Sequence, residues 1–116
     1  MKFISDFSRE DGWFLGNACL GGPLQVAHRQ GVFSPSPPHL HPLGYEYFVV
    51  LEGNAELTVG DRTLRLQRGN IVVVEPGEPH SLQRQSADFS LLILMDKYID
   101  GDKQIFANEE ASCTNV

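Results

Sequence analysis

Cysteine, basic charge, long apolar runs and helical periodicity are all scarce in this chain. Cys19 and Cys113 are its two cysteines, near opposite ends and without CxxC spacing. They make no disulfide framework and read as a small buried apolar residue and a tail thiol. The longest apolar run, Leu91-Leu92-Ile93-Leu94-Met95, has five residues. A spanning helix needs roughly twenty, so no membrane partner is expected. Nine basic residues against fifteen acidic ones leave a net charge of -6 with no Lys/Arg cluster. Such a chain is repelled by phosphate backbones, so no nucleic acid partner is expected. The N-terminus turns acidic at Asp6, Glu10 and Asp11 before the apolar core of a signal peptide forms, which predicts a cytoplasmic protein. GxGxxG, P-loop and Ser-His-Asp patterns are missing. So are helix-period apolar patterns between residues 12 and 95.

What is present is a β pattern. Apolar residues make up 41% and charged residues 21% of 116 residues, the composition and length of one globular domain. Gly and Pro recur between segments rich in Val, Ile, Phe, Tyr and Thr, the rhythm of an antiparallel sandwich or barrel. Strands are predicted over 12–18, 24–30, 45–51, 54–59, 62–67, 70–75, 80–85 and 88–95. A single domain then spans 1–116, with its core at 12–95. Residues 96–116 form a polar extension, with a short helix or extended segment near 97–107 and a frayed end. Ser34-Pro35-Ser36-Pro37-Pro38 reads as a stiff connector.

One hairpin can be tested against itself. With Gly60-Asp61 in a two-residue type II′ turn, Leu57 meets Leu64 and Ala55 meets Leu66 on one face. Glu56 then meets Arg65, and Thr58 meets Thr63, on the other. A slip by one residue would turn the leucines outward. Two further strands, Tyr45–Leu51 and Leu91–Met95, are apolar on both faces apart from Glu46. Together with the early Trp13-Phe14-Leu15 run, they predict a homodimer formed by sheet packing or exchanged N-terminal strands.

His39 and His41 lie two apart, on one face of an extended segment. Pro42-Leu43-Gly44 lets the chain turn and offer Glu46 from the neighbouring strand, and His80 follows the sharp Pro76-Gly77-Glu78-Pro79 turn. The four could converge on one divalent metal, as an N₃O set suited to Mn, Fe, Co, Ni, Cu or Zn. Alternatively His39 and His41 are loop histidines beside prolines, Glu46 is an exposed strand residue and His80 caps a turn.

The spacing His39-Leu-His41, four residues, Glu46, six residues, Gly53 resembles the first motif of the cupin superfamily. Gly69-Asn-Ile-Val-Val-Val-Glu-Pro76-Gly77-Glu-Pro-His80 resembles the second. Phe33, Glu75 and Arg84 depart from the family pattern, at turn and pocket positions rather than at ligands. The resemblance implies an all-β double-stranded β-helix barrel (a jelly roll) of two antiparallel sheets with little helix. It also implies His39, His41, Glu46 and His80 as ligands of one divalent transition metal. Around that pocket, Arg84 shares the inward register of His80 if the strand is regular. It is then either an anchor for an anionic substrate or an arginine reaching solvent. His28, on the face of Leu24 and Val26, has either a supporting or acid–base role or the role of a satisfied core histidine. The function expected is a metal-dependent enzyme, dioxygenase-like, on a small oxygen-bearing molecule. The alternatives are a sugar or keto-acid isomerase or epimerase, and a non-catalytic ligand-binding or sensor barrel.

Overall fold

Strands form where β-branched and aromatic residues gather between glycine and proline breaks. In chain order they are β1 (Gly12–Gly16), β2 (Gly21–Gln30), β3 (Glu46–Glu52), β4 (Asn54–Val59), β5 (Arg62–Gln67), β6 (Ile71–Val74), β7 (His80–Gln83) and β8 (Ser90–Met95). The computed structural model describes residues 1, 3–16, 21–32 and 43–96. Cys19, Cys113, the 34–38 connector and the extension beyond Asp96 lie outside the described residues. Among those described, no helix is long and apolar enough to cross a membrane.

The strands build two antiparallel sheets, one in the order β1-β2-β8-β3-β6 and one in the order β5-β4-β7. Their facing sides make the core. Phe48, Val50, Val74 and Leu91 come from the larger sheet, Ala55, Leu57, Leu66 and Leu82 from the smaller, and Phe89 from the turn before β8. Each large side chain so buried is worth about 1.5–3 kcal/mol relative to exposure.

The β4–β5 hairpin adopts the expected register, with Leu57 opposite Leu64, Ala55 opposite Leu66 and Thr58 opposite Thr63. Gly60 carries a positive φ of 59° while Asp61 does not, as a type II′ turn requires. Glu56 and Arg65 do face each other, but their side chains choose other partners. Arg65 Nη2 donates to Asn54 Oδ1 at 3.2 Å, and Glu56 Oε1 lies 3.6 Å from Arg84 Nε.

The five-stranded sheet has two different faces. Cross-strand partners share a face, so Glu46, Phe48, Val50, Val72, Val74, Leu91, Ile93 and Met95 face the smaller sheet. Tyr47, Val49, Ile71, Val73, Leu92 and Leu94 face away from it, joined by Val26 and His28. Part of this outer face is covered by the chain's own N-terminal segment. A 3-10 turn at Phe7–Arg9, absent from the sequence expectations, places the Phe7 ring edge 5.5 Å from the His28 ring centre to centre. Asp6 starts that turn by accepting from Ser8 N at 3.0 Å. The Ser8 hydroxyl and amide together hold the Asp6 carboxyl below its usual range. At β6 the same face is open, with Ile71 66% and Val73 47% exposed.

The end of the sandwich at the β3–β4 junction is closed by the turn leading into β8. Ser86 Oγ accepts from Asn54 N at 2.9 Å, and Ser86 N donates to Asn54 O at 2.8 Å. Gly53 makes the close approach feasible: its φ is 74°, and a Cβ there would lie 2.6 Å from the Phe89 Cα. Gly60 also has a positive φ but meets nothing within 4 Å. Replacing Gly60 with Ala should therefore cost about 1–2 kcal/mol, from backbone strain alone. Gly53→Ala should cost about 1–3 kcal/mol more, because it also forces backbone apart. Urea denaturation of the two variants checks the difference.

Candidate metal centre

Glu46 opens β3 and His80 opens β7, so each follows directly on a turn and each points inward from its strand. Glu46 shares its face with Phe48 and Val50. His80 pairs with Val59 of β4 and shares its face with Leu82. The approach to His80 is shaped locally: Glu78 Oε1 accepts from Glu75 N at 2.8 Å, and Glu78 N donates to Glu75 O at 3.2 Å. The two sheets thereby bring His80 Nε2 to 2.7 Å from Glu46 Oε1, with the residues only 2% and 5% exposed. The Phe48 ring stands edge-on to the imidazole with centroids 6.0 Å apart.

The chemistry of this pair tests whether a cation belongs there. His80 Nδ1 lies 3.0 Å from the Glu78 carbonyl oxygen. A carbonyl only accepts, so Nδ1 carries the hydrogen and Nε2 is the nitrogen presented to Glu46. On a neutral ring that nitrogen offers a lone pair, which then meets a carboxylate oxygen that also only accepts. The contact requires a positive charge between them, either a proton or a metal ion. An imidazole whose far nitrogen is fixed by a backbone carbonyl, beside a buried carboxylate, is a donor set that fits a divalent transition metal.

Glu46 and His80 are thus together, while His39 and His41 lie outside the described residues. Among the described residues no group of three or more His, Cys, Asp or Glu assembles.

Two other candidates stand elsewhere. Arg84 does not keep the inward register of His80. β7 ends at Gln83, and Arg84 takes a positive φ of 56° that turns its side chain out. That side chain is 76% exposed on the outer side of the smaller sheet, 3.6 Å from Glu56. An exposed pair of this kind contributes about 0–1 kcal/mol. His28 is buried, at 1% exposure, but on the face opposite Glu46. Its Nδ1 lies 2.8 Å from the Glu10 carbonyl oxygen and its Nε2 3.4 Å from Ser90 Oγ. His28 and Val26 face outward rather than toward the site. Val26 and Ala27 are both apolar, so the sequence leaves the parity of β2 undecided. The inward residues are Gln25, Ala27 and Arg29.

A Cupin domain family profile matches residues 31–95. The chain belongs to the cupin family. Among solved structures, this cupin is similar to a double-stranded β-helix domain protein from Klebsiella pneumoniae. The two are 17% identical with a TM-score of 0.66, over 84% of this chain and 91% of that one. KdgF from Halomonas sp. is 19% identical with a TM-score of 0.61, over 67% and 73%. A cupin-2 domain protein from Shewanella frigidimarina is 24% identical with a TM-score of 0.55, over 62% and 69%. Likenesses at this identity show the fold alone. No curated protein matches the chain.

The positions of His28 and Arg84 give separable outcomes. His28→Ala removes the hydrogen bond to the Glu10 carbonyl and opens space under Phe7, so it should lower stability by about 1–3 kcal/mol. Metal content should not change. Arg84→Ala should change stability by less than about 1 kcal/mol. Urea denaturation with elemental analysis of both variants checks this.

Proposed function

We propose that this cupin is a metal-dependent enzyme acting on a small oxygen-bearing molecule, with dioxygenase-like chemistry. Its metal is a divalent transition ion held by His39, His41, Glu46 and His80. The observation that supports the reading is the buried contact of Glu46 with His80, 2.7 Å between two acceptor atoms that a shared proton or a bound metal ion would join. Three imidazoles and one carboxylate leave coordination positions for other ligands. When bound there, an ion of this class polarises a coordinated oxygen or activates dioxygen.

The chain's own residues supply the rest. The Glu78 carbonyl fixes the orientation of the His80 ring through Nδ1. Phe48, Val59 and Leu82 form apolar surroundings for the pair, which raises the cost of an uncompensated charge there. Arg84 has no part in the site, so an anionic substrate finds no anchor there.

The test is metal content followed by turnover. Wild-type protein loaded with Mn, Fe, Co, Ni, Cu or Zn should retain about one ion per chain. His80→Ala and Glu46→Gln should each weaken retention by more than about tenfold. Iron-loaded wild type should then consume dioxygen in the presence of small hydroxy- and keto-compounds. Stoichiometric metal without turnover of any compound would leave a ligand-binding barrel, and wild type that never holds metal would remove the reading.

We also propose that a second copy seats on the open half of the outer face. Copies carrying a net charge of -6 repel one another over most of their surface. Tyr47, Val49, Ile71, Val73, Leu92 and Leu94 form an uncharged patch on one face of the larger sheet. Sedimentation at micromolar concentration should show a dimer, and Ile71→Lys should convert it to monomer.

A further inference from the structure

The strand β6 ends the larger sheet, and among the described residues nothing pairs on its far side. The backbone shows which groups that edge presents. Val50 N of β3 donates to Asn70 O at 2.9 Å, so the Asn70 carbonyl points toward β3. The Ile71 N–H belongs to the same planar trans peptide and points the opposite way, to the open edge. By the alternation of an antiparallel ladder, Val73 turns its N–H and C=O to the same edge, while Val72 and Val74 turn theirs to Phe48 and Glu46. We propose that a second copy of this chain pairs its own β6 with this edge, antiparallel about a two-fold axis, so that the two larger sheets run on as one. The proposal rests on the dimer reading above and gives the second copy its place.

This edge lacks the devices that keep strands apart. Charges, prolines and bulges normally guard a sheet edge. The other terminal strands among the described residues carry them. In β1 the register shifts between Trp13 and Leu15 and again between Leu15 and Gly16. β5 carries Arg62 and Arg65, both exposed. β7 lies between Pro79 and Arg84, whose positive φ breaks the strand. By contrast β6 reads Ile71-Val72-Val73-Val74, with no charge, no proline and an unbroken register against β3. β-branched residues of this kind favour a paired strand.

The edge is complementary to itself. With Val72 on the two-fold axis, Ile71 meets the partner's Val73, and Val73 meets the partner's Ile71. These are the residues whose N–H and C=O groups face outward, so they exchange hydrogen bonds directly. Cross-strand partners share a face, so the exposed Ile71 and Val73 side chains of both copies come together on the outer side. The charges at the strand ends set the direction. Arg68 stands before the 69–70 turn into β6 and Glu75 directly after β6, both exposed. An antiparallel pair brings Arg68 to the partner's Glu75 at both ends. A parallel pair would set like charges together. The ends of β6 therefore attract although the net charge of -6 repels elsewhere. Two copies joined about a two-fold axis use up this edge in both, so the assembly closes at a dimer.

Sedimentation equilibrium on the full chain tests this with wild type, Val73→Pro, Arg68→Glu, Glu75→Arg and the double variant Arg68→Glu with Glu75→Arg. Proline at 73 removes a donor that faces the open edge and leaves the bonds to β3 in place, so the fold should survive, as circular dichroism would show. It should raise the dimer dissociation constant at least about a hundredfold. Each single charge reversal should raise it about tenfold, and the double variant should return to within about threefold of wild type. That recovery decides the matter even if Val73→Pro does not fold. Wild type that is monomeric at micromolar concentration overturns the dimer reading and this proposal together. A dimer that Ile71→Lys dissociates but that tolerates a folded Val73→Pro overturns the edge pairing alone. So do single reversals without effect, a double variant that stays weak, or species that grow beyond a dimer.

Discussion

Two ionisable side chains from opposite sheets meet inside this molecule, and much of its architecture serves to hold them there. Burying a carboxylate and an imidazole costs several kcal/mol each unless the charge is neutralised in place. Glu46 and His80 are nearly sealed from solvent at 2.7 Å. The contact needs β3 to begin with its first residue facing inward. It needs the Pro76–Pro79 turn to deliver His80 at the first position of β7, and β4 to hold β7 in register with Val59 beside the imidazole. The β4–β5 hairpin fixes that register in turn, since a one-residue slip would expose Leu57 and Leu66 and rotate β7's neighbours with them.

The alternation of a strand lets one sheet do two jobs. In β3 the odd positions Tyr47 and Val49 form an outer apolar surface, while Glu46, Phe48 and Val50 form the site and the core. In β2 the same rule sends Gln25 and Ala27 inward and Val26 and His28 outward. His28 therefore fastens the N-terminal segment to the back of the sheet instead of serving the chemistry at its front. Its Nδ1 meets the Glu10 carbonyl oxygen and its Nε2 reaches Ser90 Oγ, so both ring nitrogens are engaged on that face.

The sequence is most legible where a constraint repeats itself. All eight strands sit within a few residues of their expected positions, because glycine, proline and β-branched residues mark both ends and interiors. The Leu57–Leu64 and Ala55–Leu66 register follows from a single turn. The inward parity of Glu46, Phe48 and Val50 follows from one strand, and membership of the cupin family follows from two spaced motifs. Legibility fails where local geometry breaks the repeat. Arg84 leaves the inward register because a non-glycine residue adopts a positive φ, which no pattern announces. β2 is ambiguous because apolar and polar residues do not alternate along it. The 3-10 turn at Phe7–Arg9 is too short to produce a period and depends on one capping aspartate.

The central claim is that a metal ion, rather than a proton, is what Glu46 and His80 share. Diffraction from metal-loaded crystals, collected at the absorption edge of the ion, tests it most directly. The account predicts one anomalous peak within about 2.0–2.2 Å of both Glu46 Oε1 and His80 Nε2, with His39 and His41 completing the set. A Glu46–His80 hydrogen bond that persists with no peak beside it, in protein that carries the metal elsewhere, would contradict the account.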